Sequence, residues 1–150
     1  PFSGLSELKI IESKYLKEGI QIEGLNINRI GYYSGFTLLN MVGISPQVPD
    51  YLEITTNNTS SKKRVVYLDG AKIILRKPKV TITYQNWTML QFLDLLTWTS
   101  WEDLKNKDKF QIIKKLCSKL FKKQLEECLK FYNVETIKKL VETGLINEIK

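Results

Sequence analysis

Residues 51–85 read YLEITTNNTSSKKRVVYLDGAKIILRKPKVTITYQ, and the alternation within this stretch decides the fold class. Three short runs, 51–56 (YLEITT), 63–69 (KRVVYLD) and 72–77 (KIILRK), are rich in the β-branched and aromatic residues that suit a pleated, half-buried surface. NNTSS and DGA separate them, and Asp69-Gly70 is a strong tight-turn pair. A fourth run at 80–85 (VTITYQ) follows Lys77-Pro78-Lys79. Short strands joined by short turns predict a small antiparallel meander of about four strands rather than a crossover sheet.

On both sides of this stretch the period changes to that of a helix. Residues 6–18 (SELKIIESKYLKE) put Leu8, Ile11, Tyr15 and Leu16 on one stripe, with Ser6 as a cap and Gly19 as the stop. GIQIEGLNINRIGYY alternates weakly and is either extended or a loop. A short helix is expected at 34–42 (SGFTLLNMV), with Phe36, Leu38 and Leu39 inward and Gly43 closing it. Beyond residue 87, WTMLQFLDLLTW carries Leu90, Leu93, Asp94 and Trp98 at helical spacing. The region 108–130 reads as a continuing helical stretch with Ile112, Ile113, Leu116, Cys117, Leu120, Phe121, Leu125 and Cys128 on one face. A last helix over 135–143 ends at Gly144. Helix, sheet, then helices is an α+β arrangement, expected to form one domain over residues 1–150.

The chain of 150 residues has no histidine. That removes serine–histidine and cysteine–histidine chemistry and most zinc sites. A nuclease using Asp50, Glu53 or Asp69 with a metal would need ligand spacing that these scattered carboxylates lack, so a non-catalytic protein without cofactor or metal is expected. On one continuous helix Cys117 and Cys128 would lie roughly 16 Å apart, too far for a disulfide, and both fall on the apolar face as buried thiols. No apolar run approaches the roughly 20 residues of a membrane span, and no secretory signal is recognisable, so a cytoplasmic setting is expected and the sequons at Asn57, Asn58 and Asn86 read as chance matches. Pro1 in place of methionine suggests a piece of a longer polypeptide.

Net charge is +7, which favours anionic partners without specifying a fold. Two groups carry it. Between Lys105 and Lys123 stand eight lysines against the single acid Asp108, and Lys114, Lys115, Lys119, Lys122 and Lys123 fall opposite the apolar stripe. Such a row either binds phosphate backbone or is a solvated face. The second group is Lys62, Lys63, Arg64, Lys72, Arg76, Lys77 and Lys79, with Lys72 and Arg76 on the same side of a strand and Ile74 between them. Tyr67 and Tyr84 offer stacking surfaces there. This group either meets nucleic acid or a protein partner, or protects an edge strand.

Residues 34–49, SGFTLLNMVGISPQVP, demand particular backbone geometry. Ser34 is placed to cap the helix, Gly43 to supply a positive φ at its end, and Pro46 and Pro49 to prevent it from resuming. Asn40 and Gln47 are the polar residues left to hold the turn. The pattern carried by Ser34, Gly35, Asn40, Gly43, Ile44, Ser45, Gln47, Val48 and Pro49 resembles the signature of AbiEi-type antitoxins, the transcriptional-regulator partners in abortive-infection (type IV) toxin–antitoxin systems. EITTNNTSSKKRVVYLDGAKIILRKP is similar to the strands that follow in that family, and QFLDLL, with Leu93 and Asp94, to its next helix. The likeness spans about residues 6–98.

The resemblance implies an antitoxin domain opposing a nucleotidyltransferase-like toxin, coupled to autoregulation of its operon. Members of that family usually carry an upstream winged-helix domain that binds the promoter, and no helix-turn-helix is recognisable before Ser34. Within this reading the signature residues shape the domain, and the basic groups meet either the toxin or the nucleic acid it modifies. The rival expectation is a basic nucleic-acid-binding accessory domain without a toxin partner.

Overall fold

The protein is α+β, and the computed structural model describes residues 5–18 and 28–150. Helix α1 is described over Leu5–Ile11, so Ser6 lies within it rather than at its cap. It widens over Glu12–Leu16 into a π-turn, in which the Lys17 N–H reaches back five residues to the Glu12 carbonyl. The wider turn keeps Ile11, Tyr15 and Leu16 buried together, while Leu8 is exposed. The expected helix therefore stops short of residue 18. Lys17–Glu18 instead forms strand β1, paired antiparallel with β2 (Asn28–Arg29). Gly19 lies outside the described residues.

The main sheet has four strands: β3 (Gly31–Tyr33), β4 (Leu52–Thr56), β5 (Lys63–Leu68) and β6 (Ala71–Arg76), in the order β3-β4-β6-β5. Three of the expected strands are present. The fourth comes from residues 31–33, in the weakly alternating stretch, and not from 80–85. The reason lies with Asn57. Its side chain donates to the Ile82 carbonyl and accepts from the Ile82 N–H, each at 2.9 Å, so it takes the place of a neighbouring strand. Asn86 then bends the segment, accepting from the Thr83 N–H and donating to the Thr81 carbonyl.

The sheet is also mixed rather than a pure antiparallel meander. β5 and β6 form a hairpin that folds back so that β6 enters beside β4 in parallel, Glu53 opposite Ile74 and Thr55 opposite Arg76. This pairing gives β6 a partner on each edge and leaves β5 at the edge of the sheet, and side chains from both faces of β6 are buried, among them Ile73 and Leu75 on one and Ile74 on the other. A central strand apolar on both sides is what a parallel neighbour requires.

One face of the sheet packs Ile54, Ile73 and Leu75 against Ile11, Tyr15 and Leu16. The other face contributes Tyr32 to a larger core with α2 (Gly35–Met41), α3 (Trp87–Trp98), α4 (Trp101–Lys105), α5 (Lys107–Cys117), α6 (Lys122–Cys128) and α7 (Val134–Glu142). The expected continuous helix over 108–130 is thus two helices. After Cys117 the turn tightens, Leu120 N–H bonding the Cys117 carbonyl, and Phe121 is extended. Cys117 and Cys128 remain unpaired, buried thiols in this core. Gly144 ends α7 with φ +79°, as its spacing predicted. Among the described residues no helix is long and apolar enough to cross a membrane.

Candidate partner-binding surface

The signature segment and the sheet meet at Glu53. This glutamate is only 1% exposed, and every polar atom of it is engaged. Its N–H donates to Thr37 Oγ1 at 2.9 Å and its carbonyl accepts from the Ser34 N–H at 3.0 Å. One carboxylate oxygen accepts from the Phe36 N–H and the other from Arg76 Nε, both at 3.2 Å. The carboxylate thus satisfies a free N–H in the first turn of α2 from a neighbouring strand. Gly35, at φ +58°, makes the approach possible.

Ser34 stands at the cap position, yet its hydroxyl makes no capping bond. It is buried and accepts instead from Thr55 Oγ1 at 2.8 Å. Glu53 does the capping that the serine was expected to do. Asn40 holds the exit turn as expected, donating to the Ser45 carbonyl at 3.2 Å, and Gly43 takes φ +91°. Gln47 contributes through its backbone N–H to Ser45 Oγ, while its side chain is exposed. Phe36 does not point inward: it is half exposed and packs edge-on against Trp98, ring centres 5.0 Å apart. Phe36, Gln47, Val48, Pro49 and Tyr51 line an open pocket of 580 Å³.

Arg76 lies over the Trp98 ring at 5.4 Å while paired to Glu53, so of the sheet-region cations it is a structural one. Lys79 stands 5.2 Å from the Tyr132 ring centre. Lys72 shares a face with Arg76 as expected, lies 5.6 Å over Tyr51 and sits opposite Tyr67 in the ladder. The remaining four, Lys62, Lys63, Arg64 and Lys77, are exposed. They gather at the open end of the β5–β6 hairpin, where Lys63 faces Arg76 and the Lys77 N–H bonds the Lys62 carbonyl. None of the four is in an ion pair among the described residues. Tyr67 and Tyr84 are both exposed.

The helical lysines do not form the single row expected of them. The break at 118–121 divides them between α5, a loop and α6. Lys114 is 3.6 Å from Glu148, and Lys119 lines a 170 Å³ apolar cleft with Leu38, Phe92, Leu95, Leu116 and Leu120. Lys115, Lys122 and Lys123 are exposed. Among the described residues no group of three or more cysteine, aspartate and glutamate side chains is gathered to hold a metal ion.

Two buried polar networks were not foreseen. Asp94 accepts from the hydroxyls of Tyr32 and Tyr132, each at 2.5 Å, and burial raises its carboxyl above the ordinary value despite those bonds. Lys139 is buried and donates to the carbonyls of Leu96, Thr97 and Thr99, which closes the C-terminus of α3 with a positive charge. A carboxylate on an otherwise apolar helical stripe was the available signal for Asp94.

No protein-family model matches the chain, and neither a curated protein nor a solved structure matches it.

Proposed function

We propose that this chain is a non-catalytic antitoxin domain that acts in the cytoplasm against a nucleotidyltransferase-like toxin, meeting an anionic partner surface through the β5–β6 hairpin. The observation that carries the contact is the cluster of Lys62, Lys63, Arg64 and Lys77, exposed and without ion-pair partners among the described residues. Four unpaired cations at one end of the hairpin, with Lys63 and Arg64 on opposite faces of β5, concentrate positive potential where a partner can reach it. The toxin assignment rests on the likeness of residues 34–49 to the antitoxin signature. Consistent with residues that shape the domain, Ser34 and Gly35 seat the start of α2 against the sheet, while Asn40 and Gly43 hold its exit turn. Coupling to operon autoregulation belongs to the same reading.

The test is growth rescue: the neighbouring reading frame is expressed with this chain, and with a variant in which Lys62, Lys63, Arg64 and Lys77 are all glutamate. Rescue by the chain and its loss in the variant are expected. Charge reversal at Lys115, Lys119, Lys122 and Lys123 is expected to leave rescue intact, because those lysines are divided between separate elements. Rescue by neither protein would remove the antitoxin reading. The exposed Tyr67 opposite Lys72 favours a second reading, a nucleic-acid-binding accessory domain, since it pairs a stacking face with a cation. Strongly salt-dependent binding of an oligonucleotide without growth rescue would favour it.

A further inference from the structure

We infer that the outer edge of β5 is a docking strand for an extended, acidic segment of a partner protein, which adds to the sheet beyond Lys63–Leu68. The inference rests on the binding-domain reading above and gives the form of the partner's contact.

The backbone carries the first step. Asp69 and Gly70 have φ +49° and +82°, the two left-handed positions of a two-residue type I′ turn. Leu68 and Ala71 flank that turn and exchange the closing hydrogen bonds. Antiparallel alternation then makes Val66–Ile73 and Arg64–Leu75 the bonded pairs along the hairpin. The N–H and C=O groups of Lys63, Val65 and Tyr67 consequently point away from β6. Among the described residues no strand pairs with them.

The side chains carry the second. Val65 and Tyr67 are 44% and 68% exposed on the same strand whose backbone is open. Edge strands are commonly protected by charge along their length. Here Lys62, Lys63 and Arg64 crowd one end and leave a valine and a tyrosine uncovered along the rest. An incoming strand would find main-chain partners at three alternate residues, an apolar and an aromatic neighbour, and cations at one end.

Charge selects the occupant. A second copy added in parallel would set its basic cluster beside this one, and in either direction two chains of net charge +7 repel, so self-pairing is opposed. A partner strand running antiparallel to β5, with carboxylates near its C-terminal end, would place them beside Lys62, Lys63 and Arg64. Nucleic acid would use the cations but leave the outward N–H groups without their ladder.

The test is amide hydrogen exchange by NMR on the intact chain. The probe is a capped octapeptide of alternating valine and threonine ending in three glutamates. Binding is expected to slow exchange about tenfold or more at Lys63, Val65 and Tyr67, while Arg64, Val66 and Leu68, already bonded to β6, change little. Val65→Pro removes one outward donor without touching the inner ladder and should weaken peptide binding about tenfold. If that variant fails to fold, the alternating pattern in the unaltered protein still decides. Absence of peptide binding, or protection without alternation, overturns the inference, as does a 20-nucleotide single strand that slows the same three amides equally well. Growth rescue without the alternating pattern would remove the docking strand and leave the antitoxin reading standing; the pattern without rescue would do the reverse.

Discussion

Gly35 lies directly against the carboxylate of Glu53, so close that a Cβ on Gly35 would fall 2.2 Å from Oε2. Two separate costs therefore attach to any side chain there. The left-handed backbone at φ +58° disfavours a Cβ, and the atom it must displace belongs to a buried carboxylate already fixed by Phe36 and Arg76. Gly35→Ala is expected to destabilise the fold by about 3 kcal/mol, combining left-handed strain with overpacking. Gly43 isolates the first cost, because its backbone is also left-handed but a Cβ would meet nothing closer than Ile112 at 3.6 Å. Gly43→Ala should cost only about 1 kcal/mol. Urea denaturation of both variants checks the ranking, and equal losses would show that Glu53 yields freely.

The pair formed by Glu53 and Arg76 is unequal in burial, 1% against 29% side-chain exposure. Removing the arginine strands a buried carboxylate, so Arg76→Met should destabilise by about 2 kcal/mol, below the range for a fully buried pair because the Arg76 side of the pair is partly open to solvent. Glu53→Gln in the same chain removes the stranded charge. The double variant should recover part of that loss, giving a coupling of about 1 kcal/mol in a double-mutant cycle of urea midpoints. Strict additivity would mean that the ion pair contributes nothing beyond its separate contacts.

These two residues also show where reading the sequence stopped. The α+β class follows from periods, and the strands at 51–56, 63–69 and 72–77 were legible because β-branched runs and an Asp-Gly turn are local signals. Parallel pairing of β4 with β6 is a long-range choice with no local mark except the apolar Ile73-Ile74-Leu75 run. VTITYQ has the composition of a strand and is denied one by a single asparagine side chain, Asn57, twenty-five residues earlier. In the site, the positive φ at Gly43 and the Asn40 turn were readable. The capping of α2 by Glu53 was not, since it depends on a strand brought in by tertiary contact. Phe36 matched the apolar stripe and yet lies outside, because the first turn of α2 faces Glu53 and Trp98 instead of the helical core.

Asp94 supplies a pH dependence. Burial raises its carboxyl above the ordinary 3.8, against the lowering effect of hydrogen bonds from Tyr132 and Tyr32 and the charge of Lys79. A raised native value means that the folded state holds the proton more tightly than the unfolded one. The favourable contribution of this group is therefore complete below its unfolded-state value and is lost as pH rises through the native value. Asp94→Asn cannot titrate. The stability difference between the protein and this variant should shift against the protein as pH rises from about 4 to about 7. Urea midpoints across that window read it directly, and a difference independent of pH would mean that the native carboxyl titrates as it does in the unfolded chain.

Cys117 offers a way to watch the helical core open. Burial pushes its thiol up to about 12, with Glu148 adding to the rise, and burial raises Cys128 as well. Disulfide-exchange reagents attack the thiolate, so at pH 8 a group titrating near 12 has on the order of one molecule in ten thousand reactive, and the surrounding core excludes the reagent besides. Cys117 should therefore react with an aromatic disulfide about a thousandfold more slowly in the native protein than in urea, and Cys128, buried in the same core, should also be slowed. Because they sit at the ends of α5 and α6, on either side of the break at 118–121, their residual rates report how often each helix detaches. A common slow rate would mean that α5 and α6 leave the core together. Different rates, each altered separately by Leu116→Ala and Leu129→Ala, would mean that the break makes them independent, and a native rate equal to the denatured one at either cysteine would place that thiol outside the core.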